Sequence, residues 1–80
     1  MDTDLARHTI RIAFQASRDL EDLMHLLKEQ LGAEEYKDYA LGIATAIAGI
    51  GDALTNKALV RYPELKYEID EKLAKYGRYI

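Results

Sequence analysis

Residues 39–51 of the chain read Tyr-Ala-Leu-Gly-Ile-Ala-Thr-Ala-Ile-Ala-Gly-Ile-Gly, a stretch without a charged residue or a proline. A helix that is apolar on every side has to be surrounded by protein or by lipid. Crossing a bilayer takes about 20 apolar residues, and runs of about 10 to 14 are more often helices in a protein core. The sequence therefore predicts a buried helical rod around which the rest of the chain packs.

The length and the composition restrict the class of protein. Eighty residues suffice for one domain with a small core. The absence of cysteine excludes disulfides, thiol catalysis and thiolate zinc sites. Asp2 and Asp4 stand where a secretory signal would carry lysines, and no membrane-spanning segment follows. These features predict a cytoplasmic protein that has no membrane partner.

Hydrophobic spacings of three and four predict an all-α domain over residues 1–80, with helices at about 3–31, 34–61 and 63–76. Gly32 is expected to end the first helix in the left-handed conformation. The short connection that follows predicts an antiparallel hairpin of the two long helices. Pro63 suits the first turn of the short third helix, which Gly77 is expected to end.

The weak point of the second helix is Ile50-Gly51-Asp52, because glycine costs about 1 kcal/mol relative to alanine in a helix. One continuous helix is favoured, and a break with Asp52 as a new N-cap is the alternative. Asp52 is also the one acid in the apolar neighbourhood, so burial would require a partner. The hairpin register brings Arg11 and Gln15 within reach of Asp52, which predicts a structural contact that fixes the register. The alternative is a ligand site built on Asp52.

The lengths of the helices lead to a prediction about assembly. Each long helix has about 28 residues and measures roughly 42 Å, whereas a compact globule of this size is about 30 Å across. A hairpin with one short helix leaves two long apolar faces uncovered. A homodimer with a four-helix core would cover them, with the short helices outside or across the ends. The alternative is a monomeric three-helix bundle that the third helix completes.

Small residues mark where helices could approach most closely. In the hairpin register, Ala13 and Ala16 face the second helix near Gly49. On the second helix, four small residues recur at spacings of four, three and four, so they form a row along one side of that helix. Two interpretations stay open, namely close packing inside one chain and a seam between two copies. The candidate close-packing or interface residues are Ala13, Ala16, Gly42, Ala46, Gly49 and Ala53.

The C-terminal part combines bases with tyrosines. Residues 56–80 hold six bases and four acids, while residues 1–55 hold five bases and ten acids. Alternating bases and aromatics are typical of single-strand nucleic-acid binders, and tyrosine and arginine are also enriched in protein interfaces. The net charge of this part is too small for a nucleic-acid footprint, so core and protein-interface roles are favoured. The candidate partner surface comprises Arg61, Tyr62, Lys66, Tyr67, Lys75 and Tyr79.

Candidate chemical groups are few. Asp22 and His25 lie three residues apart and, with Glu34, Glu35 and Asp38, resemble in type the ligands of di-iron bundles. The neighbouring leucines occupy the inward positions of the first helix, so Asp22 and His25 are expected on its solvent-exposed side. His8 has no nucleophile or carboxylate placed to work with it beyond its own helix surface. No catalytic residue, metal ligand or cofactor site is predicted.

The sequence therefore favours a small non-enzymatic module that binds other proteins, beginning with a second copy of itself. Its further partner is not identified by any motif. A nucleic-acid-associated protein that uses the C-terminal helix is the first alternative, and a metal-binding helical bundle is the second.

Overall fold

The structure, a computed structural model, describes residues 1–80 and contains helices but no strand. Helix α1 spans Thr3–Gln30 and α2 spans Ala33–Ile50. A π-helical turn at Gly51–Thr55 leads directly into α3, Asn56–Arg61, and α4 spans Leu65–Tyr76. Because α2, the π turn and α3 follow one another without a break, the chain forms three rods and the predicted all-α class is confirmed.

The helix ends show which capping signals the chain uses. The Asp2 carboxylate accepts a hydrogen bond of 2.8 Å from the Leu5 amide, so Asp2 is the N-cap of α1. Gly32 is extended, with φ −66°, and precedes α2 as its N-cap. The prediction of a left-handed Gly32 is therefore wrong. Gly77 has φ 74°, the one positive φ in the chain, and its amide binds the Leu73 carbonyl at the end of α4.

The π turn keeps the second rod in contact with the first. In a regular α-helix, each residue is rotated about the helix axis by about 40° relative to the residue four positions earlier. A row at this spacing therefore turns steadily away from a neighbouring helix. Ile47, Gly51 and Thr55 follow this spacing, yet all three are partly buried. The backbone N–H of Asn56 donates a hydrogen bond to the Gly51 carbonyl, five residues earlier. This wider turn cancels much of the rotation, so the three residues stay on the side that faces α1. The rod is continuous, as predicted, but it changes from α-helical to π-helical geometry at Gly51, within the predicted weak point Ile50-Gly51-Asp52.

Asp52 lies on the outside of the π turn. Its side chain is exposed and accepts a hydrogen bond from Asn56 at 3.3 Å. Arg11 instead stacks over the ring of Tyr79, and Gln15 binds Asp19 at 3.0 Å. The predicted Asp52 contact across the hairpin is wrong because Gly51, one residue earlier, occupies the inward position.

The core lies at the open end of the hairpin, away from the turn between α1 and α2. Pro63 and Glu64 form the turn that directs α4 back against the start of α1. Ile10 and Leu65 are the largest fully buried side chains, and they meet where α1, α3 and α4 converge. The cluster consists of Ala6, Ile10, Ala58, Leu65, Ile69 and Tyr79. Helix α4 therefore closes one end of the hairpin and leaves the turn end without a third helix.

An ion pair joins α1 to α4 beside this core. The Nε atom of Arg7 donates to both carboxylate oxygens of Glu68, each at 2.9 Å. Arg7 also contacts Asp4 at 2.7 Å, and Lys72 lies 3.7 Å from Glu68. These contacts raise the pKa of Arg7, chiefly through the hydrogen bond to Glu68. The pair fixes the register of α4 against the first two turns of α1.

The overall shape is a flat slab. The Cα extents are 45 × 25 × 14 Å, and the radius of gyration is 14.6 Å. A compact domain of this length has a radius of gyration of about 12 Å. No helix combines the length and the apolar composition that crossing a membrane requires.

Candidate functional site

The helical hairpin has two broad sides, and α4 with the C-terminal segment covers one of them. A cavity of about 400 Å³ on that side is lined by Phe14 of α1, Ile47 of α2 and Tyr79 of the C-terminal segment. A shallower groove of about 280 Å³ lies between Leu20 of α1 and Ala46 of α2 on the other side, with no part of α4 in its lining. The second side is therefore uncovered along the hairpin.

We call the uncovered side the open face. Residues three or four apart share one side of a helix, so its members can be read from the two helices that form the groove. They are Leu5, Ile12, Ala16 and Leu23 of α1 and Tyr39, Gly42, Ala46 and Gly49 of α2.

The open face is apolar and exposed. Tyr39 and Ile12 retain 54% and 53% of their accessible surface, and Leu5 and Leu23 are also exposed. From residue 39 to residue 49 the α2 part of the face holds no charged residue. Of residues 39–51, only Ile43 is buried within the chain. The rod that the sequence predicts to be buried is thus mostly uncovered in one copy.

The small residues of α2 do not serve close packing inside the chain. A Cβ atom added at Gly42 or at Gly49 would meet no side chain and no other helix within 4 Å. Ala46 and Ala53 are exposed as well. The expectation of close packing inside one chain is therefore wrong for these four positions. Ala13 is buried and Ala16 is half-buried, and close packing of these two against α2 stays a prediction.

Ala53 does not continue the row formed by Gly42, Ala46 and Gly49. It follows Gly51, where the helix widens into the π turn, and the wider turn rotates later residues relative to a regular α-helix. The open face consequently ends at Gly49 on α2.

The accessible area measures how much surface one copy leaves uncovered. The chain exposes 5803 Å². A folded monomer of this mass exposes about 4,900 Å², so the excess is roughly 900 Å². Each partner in a standard protein–protein interface contributes about 800 Å². The chain therefore carries surplus surface on the scale of one interface.

The predicted partner surface on the C-terminal part divides into two groups. Arg61, Lys66, Tyr67 and Lys75 are exposed, and Tyr67 retains 80% of its surface. Tyr62 is half-buried, and its hydroxyl donates a hydrogen bond to the Met1 carbonyl. Tyr79 lies in the core with 4% of its surface exposed, so it differs from the expectation. Tyr67 points away from the core, because it lies between the two inward residues Leu65 and Ile69.

Tyr79 anchors the C-terminal segment. Its ring meets the Phe14 ring edge to face at 5.9 Å, and the side chains of Arg11 and Lys72 lie over it at 5.6 and 5.5 Å. Burial raises the pKa of the Tyr79 phenol, the nearby Glu68 carboxylate raises it further, and the arginines oppose both effects. The Tyr79 hydroxyl and the Nε atom of Arg11 have no hydrogen-bond partner. The position of Tyr79 depends on packing and stacking more than on its hydroxyl.

We expect Tyr79→Phe to reduce the loss of stability in alkaline solution. A phenol with a raised pKa holds its proton more tightly in the folded state, so its contribution is present below the unfolded pKa of about 10 and is lost as pH rises through the folded pKa. Urea unfolding followed by circular dichroism between about pH 8 and pH 11 measures this loss. At neutral pH the variant should be at least as stable as the wild type, because it removes a buried hydroxyl without a partner.

The matched control is Tyr76→Phe, since Tyr76 is exposed at the end of α4. It should retain the alkaline loss of the wild type. Equal curves for the wild type and Tyr79→Phe would show that the Tyr79 phenol does not contribute to this loss.

The other candidate groups do not come together. No three histidine, aspartate or glutamate side chains lie where they could share a metal ion, and this includes Asp22, His25 and the acids of early α2. His8 and His25 are both exposed. The geometry therefore offers no support for the metal-binding alternative.

The sequence could identify the apolar rod but not which of its sides the chain leaves uncovered, because that depends on where α4 docks. The open face of α1 and α2 and the outer side of α4 are the two candidate surfaces. No family model, curated protein or solved structure matches this chain.

Proposed function

We propose that the protein is a small non-enzymatic interaction module that acts as a homodimer and binds a further protein. The observation that carries the proposal is the exposed apolar surface of α2, which one copy does not cover. An apolar patch of this kind is rare on monomers and is typical of interaction sites. Its removal from water contributes about 25 cal/mol per Å² before the costs of association are subtracted.

The outer side of the C-terminal part is the proposed contact for the further partner. Arg61, Lys66, Tyr67 and Lys75 are exposed, and none of them belongs to the core cluster. Tyrosine and arginine are favoured in protein interfaces because they combine apolar area with directional hydrogen bonds. Tyr79 is not part of this contact, because it lies in the core cluster. Tyr62 is not part of it either, because its hydroxyl donates a hydrogen bond to the Met1 carbonyl.

Sedimentation velocity over a range of protein concentrations tests the homodimer. We expect the mass to rise from one to two times 9.1 kDa as the concentration increases through the micromolar range. Association by apolar burial should persist at high salt, whereas association through surface charges is screened. A constant mass of one chain at all concentrations would overturn the proposal.

A further inference from the structure

We infer that the second copy docks on the open face, so that two hairpins stack face to face and each α4 lies on an outer side. This inference rests on the proposed homodimer and specifies its contact surface. The face runs from Leu5 to Leu23 along α1, which corresponds to about 27 Å. The α2 part from Tyr39 to Gly49 measures about 15 Å, so the face is two helices wide, or roughly 20 Å, near the turn and one helix wide beyond Gly49.

The dimensions of the open face fit the surplus surface of the chain. Its outline covers several hundred Å² in projection, which is the scale of one half of a standard interface. The other sides of the hairpin are less suitable. The opposite side already contacts α4 and the C-terminal segment, and it includes the charged Arg18 and Glu21 at the large cavity. The outward edge of the second rod carries the exposed Lys37 and Asp52 at its ends; Leu41 between them retains 72% of its surface, but neither the cavity nor the groove described above includes it.

The open face is also suited to contact a copy of itself. A two-fold dimer uses the same patch on both chains, so each patch needs both projecting and receding parts. Tyr39, Ile12 and Leu23 provide large projecting side chains. Gly42 and Gly49 provide open space beside the groove of about 280 Å³, since no side chain and no backbone from elsewhere in the chain lies within 4 Å of their Cβ positions. The large residues of one copy can therefore enter the depression of the other.

The charge pattern favours an apolar occupant. On α1, Asp19 lies three residues after Ala16 and four before Leu23, so its exposed carboxylate, which accepts a hydrogen bond of 3.0 Å from Gln15, lies on the same side of the helix. Asp38 lines one border of the groove. A second copy brings the same apolar strip of α2, so in the proposed dimer these uncharged strips meet, and the contact has to leave Asp19 and Asp38 in water.

The substitution Ala46→Glu tests the inference, and Ala48→Glu is its matched control. Both alanines are exposed on α2, but they lie two residues apart and point to different sides. We expect Ala46→Glu to weaken dimerisation by about 100-fold or more, because it buries an unpaired carboxylate in each copy. Ala48→Glu should change it by no more than about twofold, as is usual for a surface substitution. Sedimentation velocity provides both values.

A second measurement remains informative if Ala46→Glu fails to fold. The chain contains no cysteine, so a single introduced thiol can be labelled without background. The maleimide labelling rate of Ala46→Cys should fall at least tenfold as the protein concentration passes from the monomer range to the dimer range. The rate of Ala48→Cys should stay constant.

The outcomes separate the two proposals. A wild-type dimer in which Ala46→Cys keeps its monomer labelling rate, or in which Ala46→Glu leaves dimerisation unchanged in a folded chain, would overturn the open-face contact and leave the homodimer intact. A wild type that stays monomeric would overturn both.

Discussion

Ile10→Ala should lower the free energy of unfolding by about 2–5 kcal/mol, the usual effect of truncating a fully buried aliphatic side chain to alanine. Ile10 has no accessible surface and lies in the cluster that joins α1, α3 and α4. Eight of the 80 residues are buried, and Ile10 and Leu65 are the largest fully buried side chains, so Ile10 makes up a large share of the core. Domains of this length have a total stability of about 4–12 kcal/mol, and the expected loss is therefore a large part of it.

Ile12→Ala is the matched control for Ile10→Ala. It removes the same atoms two residues further along α1, where the side chain points to the open face and retains 53% of its surface. In dilute protein we expect a loss below about 1 kcal/mol. Urea titrations of both variants, followed by circular dichroism, provide the comparison.

Protein concentration distinguishes the two isoleucines further. Dimerisation adds to the apparent stability in proportion to the logarithm of the concentration. The loss of apparent unfolding free energy caused by Ile12→Ala should therefore grow at high protein concentration, because Ile12 belongs to the proposed contact. The Ile10→Ala deficit should stay about constant. A large Ile12→Ala deficit already present in dilute protein would mean that the chain itself covers the open face.

The helices could be predicted from local signals. The apolar residues of α1 recur at spacings of three and four over its whole length, and Asp2 supplies the N-cap at its start. Pro63 ends the second rod and Gly77 ends α4 by backbone restrictions that do not depend on the rest of the fold. The fold class follows from such features.

The location of the core and of the uncovered face could not be predicted, because both depend on contacts between distant residues. Arg7 and Glu68 are 61 positions apart, and no periodicity within α1 or α4 indicates that they pair. The π turn is similarly a response of the second rod to the first. Once α4 is fixed at the open end of the hairpin, the middle of α2 lacks a cover, although its sequence is the most apolar in the chain.

Tyr79 and Tyr76 illustrate the same limit. Tyr76 follows Leu65, Ile69 and Leu73 at spacings of three and four, which predicts that it faces the core, whereas Tyr79 follows Gly77 and is a candidate for the partner surface. In the structure Tyr76 is half exposed, with Lys75 over its ring at 5.3 Å, and Tyr79 is buried. The left-handed Gly77 reverses the chain direction and turns the tail toward α1, which exchanges the positions expected of the two tyrosines.

Tyr79→Ala should consequently lower the free energy of unfolding by about 3–5 kcal/mol, as for other buried aromatic residues. It removes the edge-to-face contact with Phe14 and the ring over which Arg11 and Lys72 stack. Tyr76→Ala, three residues earlier, should cost less than about 1 kcal/mol because it leaves the core cluster intact. Urea titration measures both losses, and binding of a hydrophobic dye should increase for Tyr79→Ala alone, since removal of the ring enlarges the neighbouring cavity of about 400 Å³. Equal losses would place the two tyrosines in similar surroundings and would contradict the docking of the C-terminal segment against α1.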